Sequence, residues 1–154
     1  MCIRDRSRKW FDNRVPSNEM LSKDDTLELY AKKTVDNYLK HFNSYELNLA
    51  ANVILNLAIN TNLYLNEKQP WILIKEENNI SYVSNIIYNV LESTRIIGLL
   101  LLPLLPDLSS KIDLQLGLLY NKKESWRKQL EWGQLIHNSI LPPPSPIIEK
   151  LEYE

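Results

Sequence analysis

The sequence is poor in the residues that build disulfides, metal centres and sharp backbone turns. Cysteine occurs once, at Cys2, so no internal disulfide can form, and the two histidines, His41 and His137, lie too far apart to make a metal site with it. Net charge is nearly absent. Eighteen Lys plus Arg against nineteen Asp plus Glu leave -1, which excludes a protein that coats nucleic acid by bulk electrostatics, so any RNA contact must be local. No apolar run is long enough to cross a bilayer. The most apolar, Ile96 to Pro106, holds two prolines, is flanked by Arg95 and Asp107, and reads as a buried helix end. The opening MCIRDRSRKW is charged and lacks the apolar core of a signal peptide, so a reducing cytoplasm is the expected setting.

Catalytic signatures are missing as well. There is no Gly-rich phosphate loop, no paired histidines and no nucleophile motif, and Cys2 has no activating neighbour. The many acidic residues read as solvated faces, since none is paired in a way that marks acid/base work. Alone, the chain is expected to be non-catalytic, with no cofactor and no metal ligand.

What is present is a helical pattern. The hydrophobic fraction of 44% and charged fraction of 24% suit one soluble domain, and glycine occurs only three times. Apolar positions recur at three- and four-residue steps, which predicts an all-α antiparallel bundle. A first helix is expected from Asp24 or Asp25 to His41, with Leu27, Tyr30, Ala31, Thr34, Tyr38 and Leu39 inward. A second spans Ser44 to Glu67, its stripe running from Leu47 through Ala50, Ala51, Ile54, Leu57, Ala58 and Thr61 to Leu65. On its other side Asn48, Asn52, Asn56 and Asn60 stack four apart; this row reads first as a solvated face, with amides bonding RNA as the alternative. A third helix, Ile80 to Leu102, turns Val83, Ile86, Ile87, Val90, Leu91, Thr94, Ile97, Gly98 and Leu101 to one side and stops at Pro103. Asp107 or Ser109 caps a short fourth helix that ends at Gly117.

Past Leu118 the pattern weakens, leaving Trp126, Trp132, Leu135 and Ile136 as apolar anchors. Leu141 to Pro146, LPPPSP, reads as an extended strap over the bundle rather than an SH3-type ligand. The expected division is residues 1–15 as an N-terminal segment, 16–141 as the bundle and 142–154 as strap and tail.

The sharpest local feature is Gln69-Pro70-Trp71. Proline suits the first turn of a new helix, so the long second helix breaks there and presents an indole just beyond. Tryptophan is most often core. Its functional alternative is stacking on a base, which contributes about 1–3 kcal/mol without a basic field. Lys68 and Lys75 read as ordinary surface lysines, and Arg95 as paired with a carboxylate inside the bundle.

The order Asn62-x-Tyr64-Leu65-Asn66-Glu67, Pro70-Trp71, Lys75, then Arg95, Pro103-Leu104-Leu105-Pro106, Lys111, Gln115-Leu116-Gly117 and Trp126 resembles the C-terminal anticodon-binding domain of bacterial-type methionyl-tRNA synthetases. Lys9 to Pro16, KWFDNRVP, and the ending PPPSPIIEKLE are similar to that family too. The resemblance implies a class I-type helix bundle that recognises the CAU anticodon of methionine tRNA. Trp71, after Pro70, is the implied stacking ring, with Lys75, Asn62 and Tyr64 as backbone contact or support. Counting back from Phe11, the family's anticodon-contacting Arg falls on Cys2 and its Asn lies before Met1, so neither carries over. The family's catalytic domain, with its ATP and methionine site and often zinc, has no counterpart in these residues, and tRNA and that domain are the implied partners. MCIRDR is expected to be a spurious start joined to a genuine C-terminal piece. The alternative reading is a helical protein-interaction bundle with no RNA role, in which Trp71, Trp126 and Trp132 are core or interface anchors.

Overall fold

The computed structural model describes residues 9–17, 26–118, 124–143, 145 and 147. Among them are α1 (Thr26–Asn43), α2 (Leu47–Lys68), α3 (Pro70–Leu73), a 3₁₀ turn (Glu77–Asn79), α4 (Ile80–Leu101), α5 (Pro106–Leu116) and α6 (Trp126–Gln129), with no β-strand. The all-α expectation therefore holds. The expected start of the first helix before Thr26, like MCIRDR, lies outside the described residues.

The second helix begins later than Ser44 because Tyr45 sits in the left-handed region at φ 60°, which reverses the chain. The Glu46 amide donates to the His41 carbonyl at 2.9 Å, and the Glu46 carboxylate meets His41 Nδ1 at 2.7 Å. So short a turn forces α1 and α2 antiparallel. Leu27, Ala31, Thr34 and Tyr38 of α1 are buried as expected, and burial pushes the Tyr38 hydroxyl up to about 12. On α2, Ala50, Ile54, Leu57 and Thr61 are buried, whereas Leu47 and Ala51 are exposed. The asparagine row divides: Asn48, Asn52 and Asn56 face water, and Asn60 donates to the Tyr30 hydroxyl at 2.9 Å.

Helix α4 is the axis on which the rest is hung: α1, α2, α3 and α5 all pack against it. The expectation of one apolar side is too narrow. Asn85, Asn89, Glu92, Ser93 and Arg95 are buried too, because neighbours close on the helix from every direction. Most polar groups so enclosed are bonded, the Asn89 Oδ1 being an exception. Thr61 and Ser93 share a hydroxyl bond of 2.7 Å, and Glu92 with Arg95 forms a clasp on the C-terminal segment.

In that clasp the fully buried Glu92 carboxylate accepts from Arg95 Nη2 at 2.6 Å and Nε at 3.0 Å. It also accepts from the backbone amides of Gly133 at 2.7 Å, Gln134 at 3.0 Å and Leu135 at 3.1 Å. Arg95 donates onward to the carbonyls of Gln129 and Glu131. The expected role of Arg95 as an internal ion pair is the one observed. Leu135 is thereby drawn into the core, whereas Ile136, expected as an anchor, is exposed.

The fourth helix is not capped by Asp107 or Ser109. Pro106 occupies its first position, Asp107 falls in the first turn, and Ser109 is buried. Gly117 ends it in the left-handed region at φ 69°, where a Cβ would meet the Ile140 carbonyl oxygen at 2.6 Å. The chain then returns to the N-terminal segment. Val15 donates to Ser139 at 2.9 Å, Asn138 to Val15 at 2.8 Å and Leu141 to Asn13 at 2.7 Å, so the boundary drawn after residue 15 falls inside a paired stretch. Beyond it Gln115 Nε2 donates to Ser145 Oγ at 2.6 Å and Lys111 to the Ile147 carbonyl at 3.2 Å, laying this stretch along α5.

Candidate nucleic-acid interface

Helix α2 ends because Gln69 turns left-handed, φ 45° and ψ 54°, while its amide still reaches the Leu65 carbonyl at 3.2 Å. Pro70 has no amide hydrogen to orphan and a φ already suited to a first turn, so α3 starts at once. Ile72 donates to the Gln69 carbonyl at 2.9 Å and Ile74 to that of Pro70 at 3.0 Å, closing a rigid single turn. The turn is anchored from below: Pro70 is buried, and Leu73 packs on the core around Val83, Ile87 and Leu91.

Above that anchor Trp71 is half-buried, Ile72 is exposed, and Lys75 is exposed just beyond. The indole is thus neither sealed in the core nor detached from the scaffold. Tyr64 lies beneath the break, buried with Leu27, Ile86 and Val90. Its ring lies 5.6 Å from the Lys68 ammonium, which also stands 6.0 Å from the Tyr82 ring centre. Lys68 is therefore held over two aromatic faces, which the reading of it as a plain surface lysine missed. Asn62 is exposed on the outer side of α2 and among the described residues makes no side-chain hydrogen bond.

The structure brings Pro70, Trp71, Tyr64 and Lys75 to one end of the bundle. Charges there nearly cancel, since Glu67, Glu76 and Glu77 lie among Lys68 and Lys75. What such a surface offers a ligand is a flat aromatic face, the exposed Lys75 cation and amide groups, which suits stacking more than electrostatic capture. Among the described residues no cluster of three His, Cys, Asp or Glu could hold a metal, and no helix is long and apolar enough to cross a membrane. Sequence reasoning named Trp132 as an anchor but missed what holds it. Trp132 packs on the Leu27, Tyr64, Ile86 and Val90 cluster, and Glu92 fixes the loop that carries it. A Glu-x-x-Arg pair inside so apolar a helix was the available signal.

Residues 15–152 match the family model for the anticodon binding domain of methionyl tRNA ligase. The chain belongs to this family of anticodon-binding domains. It is 29% identical over 148 residues to methionine–tRNA ligase 1 of Bacillus cereus, covering 95% of this chain and 22% of that protein. With the methionine–tRNA ligase of Synechocystis sp. it shares 39% identity over 113 residues, covering 67% of this chain and 21% of the relative. The solved free-state methionyl-tRNA synthetase of Mycobacterium tuberculosis superposes with a TM-score of 0.86 at 26% identity, over 99% of this chain and 32% of that one. The anticodon-binding domain described here thus spans about a fifth of the length of the curated relatives it matches. A helical protein-interaction module, the alternative reading, gives way to this membership.

Proposed function

We propose that this domain reads the CAU anticodon of methionine tRNA, with the Trp71 indole stacked on the first anticodon base. The observation that supports this is the half-buried indole one residue past a buried proline, on a turn anchored to the core. Ring orientation is then set before RNA arrives, so less ordering entropy is lost on binding. Lys75 reaches the RNA backbone, Pro70 and Tyr64 hold the turn, and Asn62 offers an amide from the flanking face of α2. In the longer protein the domain serves a cytoplasmic ligase that joins methionine to its tRNA with ATP. The ATP and methionine site, and zinc where it occurs, belong to the catalytic domain that is the partner of this one.

The test is binding of the full chain to an anticodon stem-loop carrying CAU and to one with a changed anticodon. Trp71→Ala is expected to weaken CAU binding roughly 5- to 150-fold, the equivalent of one lost base stack at about 1–3 kcal/mol. Discrimination between the two stem-loops should fall with it. Lys75→Ala should weaken both stem-loops alike and reduce the salt slope by about one. Equal binding and equal discrimination by Trp71→Ala and wild type would remove Trp71 from the interface.

A further inference from the structure

The outward face of α2 carries a feature that anticodon reading does not explain, Asn62 being its one residue shared with the proposed RNA contact. From Leu47 to Asn66 the helix holds no charged residue, although a broad side of it faces water. Along that side the residues are arranged symmetrically about Ile59. Three positions either way stand Asn56 and Asn62, four either way Leu55 and Leu63, and seven either way Asn52 and Asn66, and all seven residues are exposed. Leu55 is 59%, Ile59 47% and Leu63 51% exposed. At 3.6 residues per turn the set lies within roughly 60° of the direction of Ile59, one continuous face.

We propose that this face docks a second copy of the chain, α2 against α2 antiparallel, with the two-fold axis through Ile59. A two-fold interface is self-complementary, so a residue must find its mirror partner at the matching distance from the axis. Here each does. Ile59 meets its own counterpart. Leu55 comes level with Leu63 of the other copy, the two side by side, and Asn52 comes level with Asn66, amide to amide, each able both to donate and to accept. Asn56 and Asn62 lie at the rim beside the leucines, and the asparagine pairs fix the register. No like charges are brought together, because the face has none. A membrane surface is a poor alternative occupant, since an interfacial helix carries Lys or Arg beside its apolar stripe and this one does not. A single helix pair falls below the usual size of stable interfaces, about 1,200 Å² in total, so the dimer is weak, with a dissociation constant on the order of 100 µM.

The experiment is sedimentation equilibrium of the full chain without RNA, from micromolar to about 1 mM. The average mass is expected to climb from 18.1 kDa toward twice that value. Ile59→Lys and Ile59→Glu, each at an exposed site that leaves helicity unchanged by circular dichroism, should stay monomeric alone, their association weakened at least 100-fold or so by like charges facing across the axis. An equimolar mixture of the two should associate again, because Lys then faces Glu. A wild-type chain that remains monomeric throughout, variants that associate as wild type does, or a mixture that fails to recover would each overturn the proposal.

Discussion

At the scale of single residues, burial separates the ionisable groups that matter from those that do not. Glu92 is wholly enclosed and accepts five hydrogen bonds, so Glu92→Gln presents an amide donor to backbone donors and strips Arg95 of its counter-charge. Breaking a buried pair costs about 3–5 kcal/mol, and a thermal melt should fall by on the order of 10 °C. The surface Glu28–Lys32 pair, at 2.7 Å with Lys32 exposed and Glu28 partly covered, supplies the contrast: Lys32→Ala should cost under about 0.5 kcal/mol. Asp113 behaves in the opposite sense to a stabilising carboxylate. Desolvation raises its pKa against a smaller lowering by Arg95, so the native state holds this proton more tightly than the unfolded chain. Stability from this group is therefore present at low pH and lost as pH rises from the ordinary carboxylate range through the raised value. Asp113→Asn is expected to melt higher than wild type at pH 7, with the two curves converging on acidification below pH ~4. Arg95 was legible in the sequence because a lone cation in an apolar run needs a partner. The partner's full role was not, since three of its donors come from a remote loop that no local pattern announces.

Secondary-structure elements obey backbone rules that the sequence displays at some places and conceals at others. Pro70 and Pro103 announced the ends of two helices, because a missing amide and a locked ring leave few conformations. Gly117 did the same. Pro106, noted only as one of two prolines in the apolar run, opens α5, and the capping role assigned to Asp107 or Ser109 was unnecessary. Periodicity located the deepest stripe of α4 but could not show that neighbours cover its other sides, since a stripe records one direction of burial only. Two substitutions probe these junctions. Gln69→Gly should raise stability by about 1 kcal/mol in urea unfolding, because glycine takes φ 45° without the Cβ clash that glutamine bears. Gly98→Val should lower it by about 1–3 kcal/mol, since a Cβ at residue 98 already meets Ile112 Cγ2 at 2.9 Å where α4 crosses α5.

For the molecule as a whole, one central helix holds the surrounding elements, and each end of the bundle follows from what it anchors. The Glu92 clasp fixes residues 129–135, that loop places Trp132 against the cluster containing Tyr64, and Tyr64 lies under the break that presents Trp71. The all-α architecture and the position of the break were readable from composition, spacing and proline. The half-buried state of the indole was not, because it depends on how α2, α3 and α4 meet. The most direct measurement is the heteronuclear spectrum of the chain carrying ¹⁵N-labelled tryptophan, with the Trp71 indole signal assigned through Trp71→Phe. Titration with a CAU stem-loop is expected to shift that signal and leave the Trp126 indole, bonded to the Leu99 carbonyl at 3.0 Å, in place, while a changed anticodon moves neither. A Trp71 signal that stays fixed at saturating CAU stem-loop would contradict the assignment of this ring to the anticodon.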